Sequence, residues 1–162
     1  VTCISPEQIL EQAKIPFRVF THQIQPESIQ AAALARGQKT EQVIRTILFR
    51  KKQDDFLVVL APGDKQISWK KLRDKLHLRH ITTATRDEVL SITGYEPGTV
   101  SPLGLPSGLP IYYDSAIAKK KEISFGSGEA KKALILDAQD LLSLLPEAIP
   151  LDFEDNPGKR TS

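Results

Sequence analysis

The residues best suited to chemistry lie between Thr93 and Asp114, where Gly94, Gly98, Gly104 and Gly108 alternate with Pro97, Pro102, Pro106 and Pro110. Glycine admits backbone angles and close approaches denied to other residues, whereas proline fixes φ and removes an amide donor. A segment dense in both is a shaped loop. Within it, Gly98 and Pro102 bracket Thr99, Val100 and Ser101. Three successive amides in such a setting can converge on a carbonyl oxygen or an anion, as in backbone nests and oxyanion holes. The same composition also serves simply to turn a chain. Other sets are less promising. Cys3 is the single cysteine and has no histidine nearby in sequence, and His22, His77 and His80 do not fall at zinc-ligand spacings. No metal and no cofactor are expected.

The elements that must position this loop follow from pattern. Ser5-Pro6-Glu7-Gln8 is a helix start, and Ile9, Leu10 and Ala13 give residues 5–14 an apolar face. Phe17 to Thr21 reads as a strand. Pro26 to Arg36 returns to helical spacing, with Ile29, Ala32, Ala33 and Leu34 inward and Gly37 as the stop. Val43 to Phe49 and Phe56 to Leu60 form a hairpin around the polar stretch 50–55. Ser68 caps a helix to Leu76 with Trp69 and Leu72 inward. A short strand at Arg79 to Thr82 and a helix from Thr85 to Ile92 precede the Gly/Pro loop. Strands at Ile111 to Tyr113, Glu122 to Phe125 and Ala133 to Leu136 and a helix from Ala138 to Leu145 complete the series. Helices and hairpins interspersed in this way predict a mixed α+β domain, a single unit with helices around a central mixed sheet. Residues 147–162 are expected to form a flexible tail.

A chain of 162 residues with 40% hydrophobic and 26% charged residues has the composition of a soluble globular domain. No apolar run approaches the roughly 20 residues that cross a bilayer, so no membrane partner is expected, and one cysteine suits the cytoplasm. A net charge of +2 argues against massive non-specific binding to nucleic acid. Its distribution is uneven, however. Arg50 to Lys52, Lys119 to Lys121, and the set Lys65, Lys70, Lys71, Arg73, Lys75 and Arg79 form basic clusters. These are either solvated faces or a surface that steers a polyanion such as RNA.

Taken with the loop, four segments resemble the YbaK/EbsC family of aminoacyl-tRNA deacylases, a domain also inserted in bacterial prolyl-tRNA synthetases. They are Glu41 to Leu48, Thr93-Gly94-Tyr95 with Gly98 to Gly104, Leu109 to Asp114, and Gly126-Ser127-Gly128 ahead of Leu134 to Leu145. The resemblance places an editing domain at residues 1–146. It implies hydrolysis of the ester between an amino acid and the terminal adenosine of tRNA, with Cys- or Ala-tRNA(Pro) as candidate substrates. The partners it implies are the acceptor end of aminoacyl-tRNA and an aminoacyl-tRNA synthetase.

The catalytic set carried over is Arg45, Gly98, Thr99, Val100, Ser101, Pro102 and Asp114; Thr46, Gly94, Tyr95, Gly126, Ser127 and Gly128 would bind substrate. In this scheme the loop amides hold the carbonyl or an attacking water, and Arg45 faces the adenosine. Asp114 orders a water or the substrate's amino group, or else caps a turn. The departure is Arg45, where the family has lysine. Arginine keeps the charge but, with a pKa above about 12, cannot act as a general base. Two further readings follow: a tRNA- or synthetase-binding module that has lost catalysis, and a hydrolase of another small ester.

Overall fold

The computed structural model describes residues 4–153; Cys3 and the last nine residues lie outside them. Helix α1 (Pro6–Gln12) opens with a capping box in which the Ser5 hydroxyl accepts from the Gln8 amide at 3.2 Å and the Gln8 side chain accepts from the Ser5 amide at 2.9 Å. Strand β1 (Arg18–Thr21) follows. Helix α2 (Ile29–Arg36) starts at Ser28, which caps the Ala31 amide, rather than at Pro26, and stops at Gly37 with φ at 69°. Ala32 and Ala33 face inward, but Leu34 is 82% exposed. Two positions beyond Ala32 is about 200° round a helix, so Leu34 points away from the alanine face.

Strands β2 (Ile44–Lys52) and β3 (Asp55–Pro62) form the expected hairpin, in antiparallel register from Ile44 opposite Pro62 to Lys52 opposite Asp55. Helix α3 (Trp69–Leu76) is capped by Ser68. Leu72 is fully buried, but Trp69, expected beside it, is 43% exposed because it begins the helix and is not among the side chains packed under it. The strand anticipated at residues 79–82 shortens to β4 (Thr82–Thr83), and α4 (Arg86–Thr93) leads into the Gly/Pro loop. Strand β5 (Ile111–Asp114), then β6 (Glu122–Gly126), β7 (Lys132–Asp137) and α5 (Ala138–Ser143) follow.

The central mixed sheet has the order β4-β2-β3-β5, antiparallel through β3 and parallel from β3 to β5. A separate three-stranded sheet, β1-β7-β6, meets it through a parallel bridge between Val43 and Ser124. The period of two along β2 and β3 divides the interior. Ile44, Leu48, Val58 and Leu60 join Leu10, Phe125, Leu134 and Leu141 in one core, while Phe49, Leu57 and Val59 pack with Leu72 and Ile81 under α3. A strand buried on both faces needs apolar residues throughout, which is why β3 reads Phe-Leu-Val-Val-Leu-Ala.

The tail expected from residue 147 begins as structure. Strand β8 (Ile149–Leu151) pairs in parallel with β5 and completes the five-stranded sheet, and Leu151 and Phe153 pack on the α3 core. Apolar contact supplies what Pro150, lacking an amide donor, cannot. Truncation after Pro146 is therefore expected to lower unfolding free energy by about 1–3 kcal/mol, the value of partly burying two large apolar side chains. Urea denaturation checks this, and an unchanged midpoint would return residues 147–153 to a passive tail.

Candidate functional site

A cavity of about 270 Å³ lies where β2 begins, and elements distant in sequence supply its walls: Ile44, Arg45 and Thr46 of β2, Gly98 and Val100 of the loop, Phe125 and Gly126 of β6, and Arg36 ending α2. The bridge between Val43 and Ser124 sets β2 beside β6. The loop then crosses β6 so closely that a Cβ on Gly126 would lie 2.7 Å from the Val100 carbonyl oxygen. The Gly128 amide donates to the Thr99 carbonyl at 3.0 Å and fixes that crossing.

Arg45 and Thr46, which line this space, carry unsatisfied polar atoms buried beside it. Arg45 Nη2 donates to the carbonyl of Lys65, yet Arg45 Nε and Thr46 Oγ1 are buried without a hydrogen-bond partner. Such a group costs about 1–3 kcal/mol when left unpaired. Burial pushes the guanidinium pKa below its ordinary value and Asp64 draws it part-way back, which leaves a cation. Asp114 stands one step behind. Its Oδ1 accepts from the Ala116 amide at 2.9 Å and its Oδ2 lies 3.5 Å from Lys65 Nζ. Asp114 is 1% exposed and does not line the cavity, so it caps a turn and holds the residue whose carbonyl holds Arg45.

The loop divides its residues between lining and support. Gly98 adopts φ of +87°, and a Cβ there would meet no atom within 4 Å. Of the three amides between Gly98 and Pro102, that of Thr99 is used internally, donating to the Glu96 carbonyl at 3.0 Å. Val100 lines the cavity, whereas Thr99 and Ser101 do not. Ser101 is fully buried and its hydroxyl accepts from the Leu103 amide at 3.2 Å; Pro102 is buried with it. Gly94 ends α4, and the Tyr95 hydroxyl donates to the Leu103 carbonyl. Cβ atoms on Gly104 and Gly128 would lie 2.6 Å and 2.7 Å from Tyr95 atoms, so that ring clamps both segments. Ser127 accepts from the Glu129 amide and donates to the Lys132 carbonyl. The structure thus brings Arg45, Thr46, Gly98, Val100 and Gly126 together at the cavity. Thr99, Ser101, Pro102, Asp114, Gly94, Tyr95, Ser127 and Gly128 lie outside its lining.

Sequence reasoning missed His22, Arg36, Glu129, Lys131 and Lys132, all of which line the cavity. Arg36 Nε donates to His22 Nε2 at 3.1 Å and Nη1 donates to Ser124 Oγ at 2.9 Å; that hydroxyl donates onward to Gln38 Oε1 at 2.6 Å. An imidazole nitrogen that accepts a hydrogen bond is unprotonated, so His22 is neutral with its proton on Nδ1. Burial and, after it, the Arg36 charge lower its pKa from 6.5. Lys132 pairs with Glu129 at 3.0 Å, leaving the cavity with a surplus of positive charge. The lysine pair after the Gly126 turn was a usable signal. The approach of Arg36 to His22 was not, because it depends on how α2 crosses β6.

The direction of the His22 shift gives a pH dependence. The unfolded chain takes up the proton first as pH falls below about 6.5, so stability tied to neutral His22 is complete above that value and is lost as pH falls toward the folded-state pKa. Wild type should lose more of its urea resistance between about pH 7.5 and 5 than His22→Gln. Identical pH profiles for the two proteins would show that His22 does not couple to folding.

Comparison with known proteins agrees with this architecture. Residues 25–144 match the profile of the aminoacyl-tRNA editing domain. The proline–tRNA ligase of Bacillus subtilis (strain 168) is 34% identical over 89 residues, which make up 55% of this chain but only 16% of the ligase. The uncharacterised protein YwhH from the same strain is 26% identical over 70% of this chain and 72% of its own length. Among solved structures, hypothetical protein APE2540 superposes with a TM-score of 0.79 at 20% identity, covering 89% of this chain and 95% of that one. A proposed trans-editing enzyme for prolyl-tRNA synthetase superposes with a TM-score of 0.76 at 22% identity, covering 86% and 87%. The match across most of its length makes this chain a member of the aminoacyl-tRNA editing domain family.

Proposed function

We propose that this domain is a trans-acting deacylase that clears mischarged aminoacyl-tRNA in the cytoplasm, with Cys- and Ala-tRNA(Pro) as the first substrates to test. The observation that carries the reading is that Arg45 and Thr46 of β2 line one cavity with Gly98 and Val100 of the loop. An ester needs less activation than an amide. The oxygen of a water, or the substrate's own neighbouring hydroxyl, attacks the carbonyl carbon. The Val100 amide donates a hydrogen bond to the developing oxyanion, and the bond to the ribose oxygen breaks as that oxygen takes a proton. A substrate hydroxyl as nucleophile gives a shifted ester that water then hydrolyses. Arg45, permanently charged, binds the ribose or the terminal phosphate and plays no part in proton transfer. Thr46 forms the neighbouring wall of the cavity.

One observation favours the alternative, a tRNA- or synthetase-binding module. The Arg45 guanidinium already donates to the Lys65 carbonyl, which restrains it away from a reacting centre.

Deacylation of a panel headed by Cys-, Ala- and Ser-tRNA(Pro) separates the two. Wild type is expected to turn over at least one of them, Arg45→Lys to retain activity, and Arg45→Ala to lose about 10- to 100-fold in kcat/KM, as befits a charged hydrogen bond. A silent wild type beside an active Arg45→Lys would favour the binding module. An unchanged rate in Arg45→Ala would remove that residue from the site. Gly98→Ala meets no steric obstacle but a left-handed φ, costing about 1–2 kcal/mol. Its kcat should fall further than that stability loss accounts for, and equal losses would leave Gly98 a purely structural residue.

A further inference from the structure

Two of the chain's basic clusters lie outside the cavity, along α3 and at the tip of the β2–β3 hairpin. Strand β2 carries Arg45 at the cavity and Lys51 and Lys52 at the hairpin, about 20 Å apart at roughly 3.3 Å per residue. Helix α3 spans part of that distance on the same face of the sheet. Lys65, which holds Arg45, lies just ahead of it, and Leu72 at its middle is buried against Phe49, Leu57 and Val59. Its outer side exposes Trp69, Lys70 and Lys75, with Asp74 the one acidic residue in the helix. At its far end a groove of about 470 Å³ opens between Arg50, Lys51 and Lys52 of the hairpin, Arg73 of α3, and His80. Arg50 is held by Glu88 and Lys51 by Asp55, but Lys52 and Arg73 have no acidic partner among the described residues.

We infer that the outer side of α3 and this groove form a track for the phosphodiester backbone of an RNA, namely the acceptor arm of the tRNA whose 3′ end enters the cavity. The inference rests on the tRNA-directed reading of that cavity. Three features favour RNA over an acidic protein surface. The cations come from three separate segments and extend in a line from the cavity, as a polymer's charges do. Phosphate contacts require only accessible cations, which Lys52 and Arg73 supply. Trp69 adds an exposed aromatic face between the cavity and the groove, where an unpaired base of the 3′ end can stack.

Fluorescence anisotropy with two labelled RNAs tests this: an acceptor-stem minihelix with a single-stranded CCA end, and the CCA trinucleotide alone. Titrations run from about 50 to 200 mM salt, with thermal melts confirming that each variant folds. Lys52→Ala/Arg73→Ala should weaken minihelix binding about three- to tenfold and reduce the slope of log K against log salt by about 2. Binding of the trinucleotide should not change. Trp69→Ala should weaken both RNAs without altering the slope. Minihelix affinity and slope unchanged in the double variant would overturn the track while leaving the cavity reading intact. A wild type that binds neither RNA would overturn both. A wild type that binds the minihelix through Lys52 and Arg73 yet deacylates nothing would support the track and count against the deacylase.

Discussion

The site depends on one close crossing of backbone over backbone. The loop carbonyls of Thr99 and Val100 occupy the place where a Cβ on Gly126 would stand, and the Gly128 amide donates to the Thr99 oxygen. Only glycine at the end of β6 permits this approach. The crossing fixes where Gly98 and Val100 face the start of β2, and hence the separation between a loop amide and the Arg45 side chain. Tyr95 secures it from behind, with Gly104 and Gly128 packed on its ring and its hydroxyl on the Leu103 carbonyl. A rigid loop positioned in this way holds hydrogen-bond donors with little reorganisation, which is the physical requirement for stabilising charge that develops on a carbonyl oxygen.

Electrostatics gives the cavity its direction. Arg36 and Arg45 are both partly desolvated, and burial lowers the pKa of each. Neither has a carboxylate hydrogen-bonded to it; their donors go to His22, Ser124 and the Lys65 carbonyl. Neutral acceptors satisfy these donors without cancelling their field, and the carboxylate that acts on Arg45, Asp64, acts from a distance without a hydrogen bond among the described residues. Phosphate and ester oxygens suit this wall, and a free carboxylate on the protein would have spoiled it. Glu129 is the acidic residue of the lining, and it is engaged with Lys132.

Much of this was legible in sequence because it rests on local rules. Ser5, Ser68 and Thr85 cap the helices that follow them, the apolar run of β3 marks a strand, and Gly98 to Pro102 announces a shaped loop. What was not legible depends on tertiary placement. Ser101 and Asp114 look like chemical groups in a one-dimensional reading, yet they are spent on Leu103 and Ala116. Their environments follow from where the loop and β5 end, which no spacing encodes. His22 and Arg36 are 14 residues apart and meet only because the end of β1, which pairs with β7, and the end of α2, which reaches Ser124 of β6, come together over one sheet. Strand β8 was hidden by its brevity and by Pro150 at its centre, which an edge strand paired along one side tolerates.

Arg45 stands where the resemblance to the family implies lysine, and its surroundings suit a guanidinium. A lysine ammonium is a compact point charge whose three donors share one centre, so a bond to the Lys65 carbonyl would draw the whole charge with it. The planar guanidinium separates its donors. One end is tied to the Lys65 carbonyl and through Lys65 to Asp114, while Nε remains buried and unpartnered. The β3–α3 loop thus takes up the extra length of the side chain, and the charge stays at the cavity wall. That arrangement keeps a binding cation and offers no titratable amine, so on the proposed deacylase reading any proton moved would be carried by water or by the substrate itself. A site organised in this way can act only by positioning and charge, which on that same reading an activated ester requires.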